Sequence, residues 1–563
     1  MTYTEYVRNY LEQQEQGVPI YTDEIANAVA ADYAIDKKKA AAATAVAIKR
    51  IMDKGELPDL RFYQKGVYYR TAVTPFGEIG INTEKLIANK YLLPDKGYET
   101  GLRLLHHMGL TTQMPTEHLL ATNAAKDCVR YDNKLGVSIC PPKAPINAEN
   151  KTYLQTLDAL DLLDKASIDA QNPLYNHCES HPKEWPAIRN TSVLCRQILQ
   201  SENDYSSCPY GKSEGGKAMK LHQDKNAFRV LLEQIHERTG YRMDVMEKDY
   251  YVVLMLRELA EKQEGGLPAF FKGGTALYKA LKTTNRFSED IDLSVDTRGC
   301  SRSQNAKWLE LAAKKYVSLV RDTSAGRTNR SEVISIFTYE PITVYDENDA
   351  LQRFGKLKIE ATSFTISEPT TSLEISPMLY ELATESEQNI LREQYDVAPF
   401  PIMTITTERI FIDKLFAAQA YVRRSNEPQR AFEAAKHIYD LAVMILQPNI
   451  QNLFANDEQI KKLLDIRIEE EAGRLDGIPG VLPKEFTFFE AASKDHAVRK
   501  AYAVMQAQYV LRPKDRIEYA DALASLDEIR NRLLSCKAWS MYEPDEELWQ
   551  HIQKKKSEQL HSV

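Results

Sequence analysis

Phe271 to Asp296 reads FKGGTALYKALKTTNRFSEDIDLSVD, and the fold turns on how this stretch is parsed. The apolar run Pro268-Ala269-Phe270-Phe271 just before the glycines predicts a buried strand. Gly273-Gly274-Thr275 then makes a tight turn whose backbone N–H groups can come close to a ligand. Ala276 to Lys282 has helical character, so the turn also opens a helix, and a helix N-terminus favours anions. After a polar loop, Asp290-Ile291-Asp292-Leu293-Ser294-Val295 alternates with period two. On a strand, residues two apart share a side, so Asp290 and Asp292 point together while Ile291, Leu293 and Val295 face a core.

Two carboxylates side by side repel unless a cation lies between them, and Mg²⁺ is the natural occupant. A phosphate-cradling turn facing a metal-binding pair suits nucleotide transfer, in which metal holds a triphosphate and neutralises departing pyrophosphate. An Asp-x-Asp alone favours a surface strand with two solvated aspartates. The complete arrangement, Gly-Gly-Thr, helix, then Arg286-Phe287-Ser288-Glu289-Asp290-Ile291-Asp292-Leu293, favours the site.

On these residues the stretch resembles the nucleotidyltransferase core of AbiEii/AbiGii-type toxins, members of the polymerase-β-like superfamily. The resemblance runs from about Met219 to near the C-terminus. It implies a nucleotidyltransferase with Mg²⁺ as cofactor, an NTP as donor and an RNA acceptor such as tRNA, acting in a toxin–antitoxin or phage-defence setting.

Three later segments match that family's further motifs. Lys356-Leu357-Lys358-Ile359-Glu360-Ala361 has period two, with Lys356, Lys358 and Glu360 on one face. Beside the Asp-x-Asp strand it would bring in Glu360 as a third acid, to ligate metal or help deprotonate the acceptor, with Lys358 next to it. Lys358 and Glu360 occupy the family's Lys-x-Asp/Glu positions. A helix opening at Thr406-Thr407-Glu408-Arg409 carries Asp413-Lys414, where the family has Glu-Lys or a similar pair. Lys414 is the candidate cation for the triphosphate. In Lys436-His437-Ile438-Tyr439-Asp440 the family motif assigns Asp440, to order the site or to serve inside a helix. His437 reads as a surface or packing residue. Catalytic candidates are therefore Asp290, Asp292, Glu360, Lys358, Lys414 and Asp440; metal candidates are Asp290, Asp292 and Glu360; phosphate candidates are Gly273, Gly274, Thr275 and Lys414.

The chain has 563 residues, 43% hydrophobic and 27% charged, which allows three or four domains. No apolar run reaches the ~18 residues of a membrane span, and the polar start MTYTEYVRNYLEQQEQ is unlike a secretory signal. Seven scattered cysteines point to reduced thiols in a cytoplasm. With a net charge of −8, any nucleic-acid contact must come from local basic patches.

Residues 1–72 predict a winged helix-turn-helix. Helical patterns over Thr2–Glu15, from Thr22, and over Lys37–Lys54 precede a hairpin, LRFYQKGVYYR, turning at Lys65-Gly66. Lys37, Lys38, Lys39, Lys49 and Arg50 suit either operator DNA, with the wing on phosphate, or a solvated face of a protein-interaction module. Residues 73–171 read as a companion α/β domain, and together the two resemble AbiEi-type antitoxins and related regulators. His106 and His107 read as packing or surface residues. Residues 172–218 read as a linker. There, His177, Cys178, His181, Cys195 and Cys208 lack a zinc-like spacing, and Gly211-Lys212-Ser213 lacks the rest of a phosphate loop.

The fold expected is thus a multidomain α/β chain: the two N-terminal domains, the linker, a polymerase-β-like nucleotidyltransferase core over 219–398, and a helical subdomain over 399–563. Glu247-Lys248-Asp249-Tyr250 falls on a helix before the glycine turn and reads as packing or orientation. Lys461, Lys462, Arg467, Arg499, Lys500, Arg512, Lys514 and Arg516 either line an RNA groove or are solvated. Two alternatives stay open: a DNA-binding regulator whose nucleotidyltransferase half is an inactive nucleotide sensor, and nucleotidylation of a protein partner.

Overall fold

Ile291, Leu293 and Val295 are all 1% exposed or less, and they pin the Asp-x-Asp strand, Ile291–Val295, to the middle of a large sheet. The computed structural model describes residues 1–108, 118–162, 219–282, 286–288, 290–343, 355–422, 428–473, 481–550 and 553–554. The linker reading, with its cysteines and Gly211-Lys212-Ser213, lies outside the described residues.

The sheet has seven strands in the order Val320–Thr328, Glu332–Tyr339, Gly355–Thr362, Ile291–Val295, Ala269–Lys272, Phe400–Ile405 and Thr370–Ile375. Ile291–Val295 runs antiparallel to Ala269–Lys272, with Lys272 opposite Asp292. On its other side it runs parallel to Gly355–Thr362, with Asp292 opposite Glu360. Two period-two segments predicted separately are therefore neighbours in matching register.

Ala269–Lys272 passes directly into the nine-residue helix Gly273–Leu281. Helix Met243–Glu264 is buried along most of its length, including Glu247, Lys248 and Asp249. Helix Arg302–Ala313 follows the Asp-x-Asp strand, and the chain then enters strand Val320–Thr328.

The boundary expected at 398/399 does not hold. Phe400–Ile405 is a sheet strand, its Thr404 opposite Phe271 and its length paired with Thr370–Ile375. A short, nearly continuous apolar run such as FPIMTI is a buried-strand pattern. Helices begin only at Thr407–Val422, followed by Pro428–Met444, Pro448–Leu453, Asp457–Gly473, His496–Tyr509 and Tyr519–Ser535. One hydrophobic core, from Leu293 and Phe271 through Phe411 and Leu464 to Trp539, runs through sheet and helices alike.

At the N-terminus, helices Tyr3–Glu12, Thr22–Asp32 and Lys37–Lys54 share a small separate core with a three-stranded sheet of Ile20–Tyr21, Val67–Arg70 and Leu60–Gln64. Asp36 caps the third helix through Lys38 N (2.9 Å), and Gly55 ends it in the left-handed region. Next comes a four-stranded sheet, ordered Gly97–Thr100, Leu119–Thr122, Val137–Cys140, Arg130–Asp132, flanked by helices Gly101–His107 and Lys151–Leu162.

Candidate functional site

Where the central strands meet the first helices after the sheet, they enclose a cavity of about 400 Å³. Gly273, Gly274, Asp290, Asp292, Glu360, Lys414 and Asp440 all line it, although they are scattered along the sequence. Register explains the first group: Lys272, Asp292 and Glu360 stand side by side on adjacent strands.

Gly273 has no substitute here. Its φ is +81°, and a Cβ would stand 2.2 Å from Asp292 Oδ2. Both the left-handed backbone and the approach of the carboxylate demand glycine. Gly273→Ala is therefore expected to displace Asp292, cost about 1 kcal/mol or more in backbone strain, and lower nucleotide transfer at least 100-fold. Melting temperature and a single-turnover assay would check this.

Thr275 anchors the turn through its side chain. Its side chain is 1% exposed and donates to the Asp290 carbonyl (2.6 Å), 3.1 Å from Ser288 Oγ. Only its backbone N–H, in the first helical turn, remains for an anion. The side chain braces the approach to the Asp-x-Asp strand.

The acids repel one another. Burial, then Glu360 and Asp290, push the Asp292 carboxyl up to about 7. Lys358 Nζ lies 3.0 Å from Asp290 Oδ2 and 3.9 Å from Glu360 Oε2. Asp290 foremost, with Glu360, holds that ammonium well above its ordinary range despite burial. The donors are all carboxylate oxygens, and Asp290 Oδ1 is buried with no hydrogen-bond partner. That chemistry fits a hard divalent cation. Among the described residues, however, no three His, Cys, Asp or Glu side chains stand assembled around one point. Lys358 now satisfies Asp290, and a cation would have to take its place.

Opposite the acids, Asp440 is fully buried and binds two cations. Arg286 grips it with Nε to Oδ1 at 3.1 Å and Nη2 to Oδ2 at 2.9 Å. Lys414 Nζ reaches Oδ2 at 2.5 Å. Burial would raise the Asp440 carboxyl, but Arg286 and Lys414 hold it far below the ordinary range. Asp440 thus positions Lys414 at the cavity and brings Arg286 with it. Lys436, paired with Glu433 (2.7 Å), also lines this wall. His437 is not a surface residue. It lines the cavity, with Nδ1 buried and unpaired, and burial then Lys414 hold its ring down to about 3.

Sequence reasoning missed Arg286 and Lys272. Lys272 Nζ contacts Thr362 Oγ1 (3.2 Å) and Thr365 Oγ1 (3.4 Å) and is held below its ordinary range by burial. Its position at the end of the first strand, two after Phe270, was the available signal. Behind it, Asp413 accepts from Arg409 Nε (2.9 Å), and Glu470 from Arg409 (2.7 Å) and Arg467 (2.9 Å). Burial opposes the charge on Asp413, but Arg409 and Arg467 keep its carboxyl low. Arg467, buried in this network, is excluded from any exposed RNA groove.

A family model, the nucleotidyl transferase AbiEii toxin of type IV toxin–antitoxin systems, matches residues 255–531. Among solved structures, the chain is similar to MenT4, a nucleotidyltransferase toxin of Mycobacterium tuberculosis H37Rv. The two are 17% identical over 53% of this chain and 98% of that one, with a TM-score of 0.28. It is also similar to JHP933 of Helicobacter pylori, 15% identical over 55% of this chain and 96% of that one, with a TM-score of 0.24. No curated protein matches.

Proposed function

We propose, from the match of residues 255–531 to the nucleotidyl transferase AbiEii toxin model, that the protein transfers NMP from an NTP to an RNA acceptor, tRNA being the favoured class, with Mg²⁺. One observation carries the reading: the acids Asp290, Asp292 and Glu360 and the cations Lys414 and Arg286 line one cavity on either side of a glycine turn. Asp290, Asp292 and Glu360 would hold Mg²⁺, which supplies charge neutralisation of the triphosphate and acidifies the attacking hydroxyl. The free N–H groups of Gly273, Gly274 and Thr275 bind phosphate oxygens at the helix start. Lys414 and Arg286, oriented by Asp440, take the charge that accumulates on departing pyrophosphate. Glu360 receives the acceptor's proton as its oxygen attacks the α-phosphorus, and Lys358, freed from Asp290, keeps the acid cluster neutralised.

Incubating the purified chain with Mg²⁺, each α-labelled NTP and total RNA tests this. Label in a nuclease-sensitive, protease-resistant product supports it. Protease-sensitive label redirects the reading to a protein acceptor, and the absence of any labelled macromolecule overturns it.

The N-terminal 72 residues act, in this reading, as a winged helix-turn-helix on duplex DNA. Support comes from the exposed side chains of Lys37, Lys38, Lys39, Lys49 and Arg50 on helix Lys37–Lys54. The full chain is expected to shift operator-like DNA. Replacing Lys38, Lys49 and Arg50 with alanine should weaken binding at low salt and flatten the salt slope by about 0.9 for each phosphate that goes unneutralised. An unchanged shift would leave this region as a protein-interaction module.

A further inference from the structure

Glu99 and Arg103 of the companion domain are each 3% exposed, yet the groups they pair with belong partly to the nucleotidyltransferase half. Arg103 binds Glu99 (2.7 Å) and reaches Asp244 (3.5 Å), and His118 also approaches Asp244 (3.5 Å). His106 Nε2 meets Lys248 Nζ at 3.0 Å, and Lys248 is 1% exposed. The same helix carries Glu247, whose carboxylate accepts from Ile342 N (2.7 Å) and Thr343 Oγ1 (2.6 Å), while Arg103 donates to the Thr343 carbonyl (3.4 Å). Outside this cluster, Arg229 pairs with Glu84 at 2.8 Å and Gln234 donates to the Phe76 carbonyl at 2.6 Å.

The next residue along is tied to the helix that the glycine turn opens. Asp249, 1% exposed, binds Lys279 at 2.5 Å and accepts from Met378 N at 2.5 Å. Lys279 lies on the helix that Gly273 and Gly274 open, and it also donates to the Ser376 carbonyl at 3.1 Å. Among the described residues, none of 1–162 lines the cavity.

From this arrangement we propose that the N-terminal region regulates nucleotide transfer from behind the glycine turn, through Lys248 and Asp249, and not by plugging the cavity. The proposal rests on the transfer reading given above. Removing one partner of a buried charge pair is strongly destabilising, so the turn of helix Met243–Glu264 that carries Asp244 and Lys248 is held in part by the docked companion domain. Because Lys248 and Asp249 are adjacent, a shift that breaks the His106 contact also disturbs the Lys279 pair. Any ligand of residues 1–162 that prefers the docked or the undocked arrangement would then change transfer by its difference in affinity. His106, Lys248, Asp249 and Lys279 are positioning residues.

Hydrogen exchange on the full chain reads the coupling without relying on activity. His106→Leu, in the companion domain, and Lys248→Met, on the facing helix, are each expected to speed exchange across 273–281 at least tenfold. Both should lower kcat at least fivefold with the KM for NTP changed less than twofold. Lys134→Ala, on the companion domain's outer turn, should do neither. Wild-type protection of 273–281 in both variants overturns the proposal, whatever happens at 243–250. A wild-type chain that transfers no nucleotide overturns the enzymatic reading instead, and the exchange comparison still decides this one.

Discussion

Asp292→Asn is expected to reduce NMP transfer at least 10³-fold and, in metal-free buffer at pH 8, to make the protein more stable. The first effect follows from removing the acid that stands in register with Glu360 and Lys272; a loss of 10³ corresponds to about 4 kcal/mol of transition-state stabilisation. The second follows from burial and like charge, which push the Asp292 carboxyl up to about 7. A group raised in the folded state adds stability that is complete below its unfolded value, near 4, and is lost as pH climbs through about 7. Asparagine carries no such penalty, so the variant should gain about 2–4 kcal/mol on wild type at pH 8, shrinking to little by pH 4. Added Mg²⁺ should narrow the gap by stabilising wild type alone. Denaturation across that pH range is the measurement; a variant less stable than wild type at pH 8 would remove the account of the acid cluster.

Asp440→Asn should act in the opposite direction. The carboxylate is fully buried and binds Arg286 through both oxygens and Lys414 through one. Removing its charge leaves two buried cations facing each other, at a cost of about 3–5 kcal/mol. Because this carboxyl is held low in the folded state, its contribution is present above pH 4 and lost as pH falls further, so wild type and variant should converge in acid. Kinetically, the KM for NTP should rise with the loss of order in Lys414 and Arg286. A loss below 1 kcal/mol in urea denaturation at pH 7 would show that the two cations find other partners.

Local periodicity made much of the acid side readable. Asp290, Asp292, Lys358 and Glu360 lie on strands whose alternating faces follow from residues two apart, and their apolar neighbours dictate which face turns inward. The cation side was harder. Arg286 meets Asp440 across 154 positions, and the linear order near Arg286 holds no trace of that partner. The same applies to Lys248 and His106, 142 positions apart: a packing or orientation role could be read for the charged stretch of the helix, but its partners come only from tertiary packing. Spacing alone leaves open whether a hydroxyl in a glycine turn faces a ligand or the next loop, and that of Thr275 takes the loop. The 398/399 boundary failed because a six-residue apolar segment before a long helical stretch reads as the start of that stretch, whereas here it is a strand.

That strand sets where the molecule can be dissected. Among the described residues, Phe400–Ile405 is the sole link between the outermost strand, Thr370–Ile375, and the rest of the sheet. A fragment trimmed at 398 would strip the flank of Ala269–Lys272 and orphan its neighbour, baring two ribbons of unmet amides to aggregation. Minimal versions of this enzyme must therefore retain the helices that follow, because catalytic floor and helical roof are one indivisible piece.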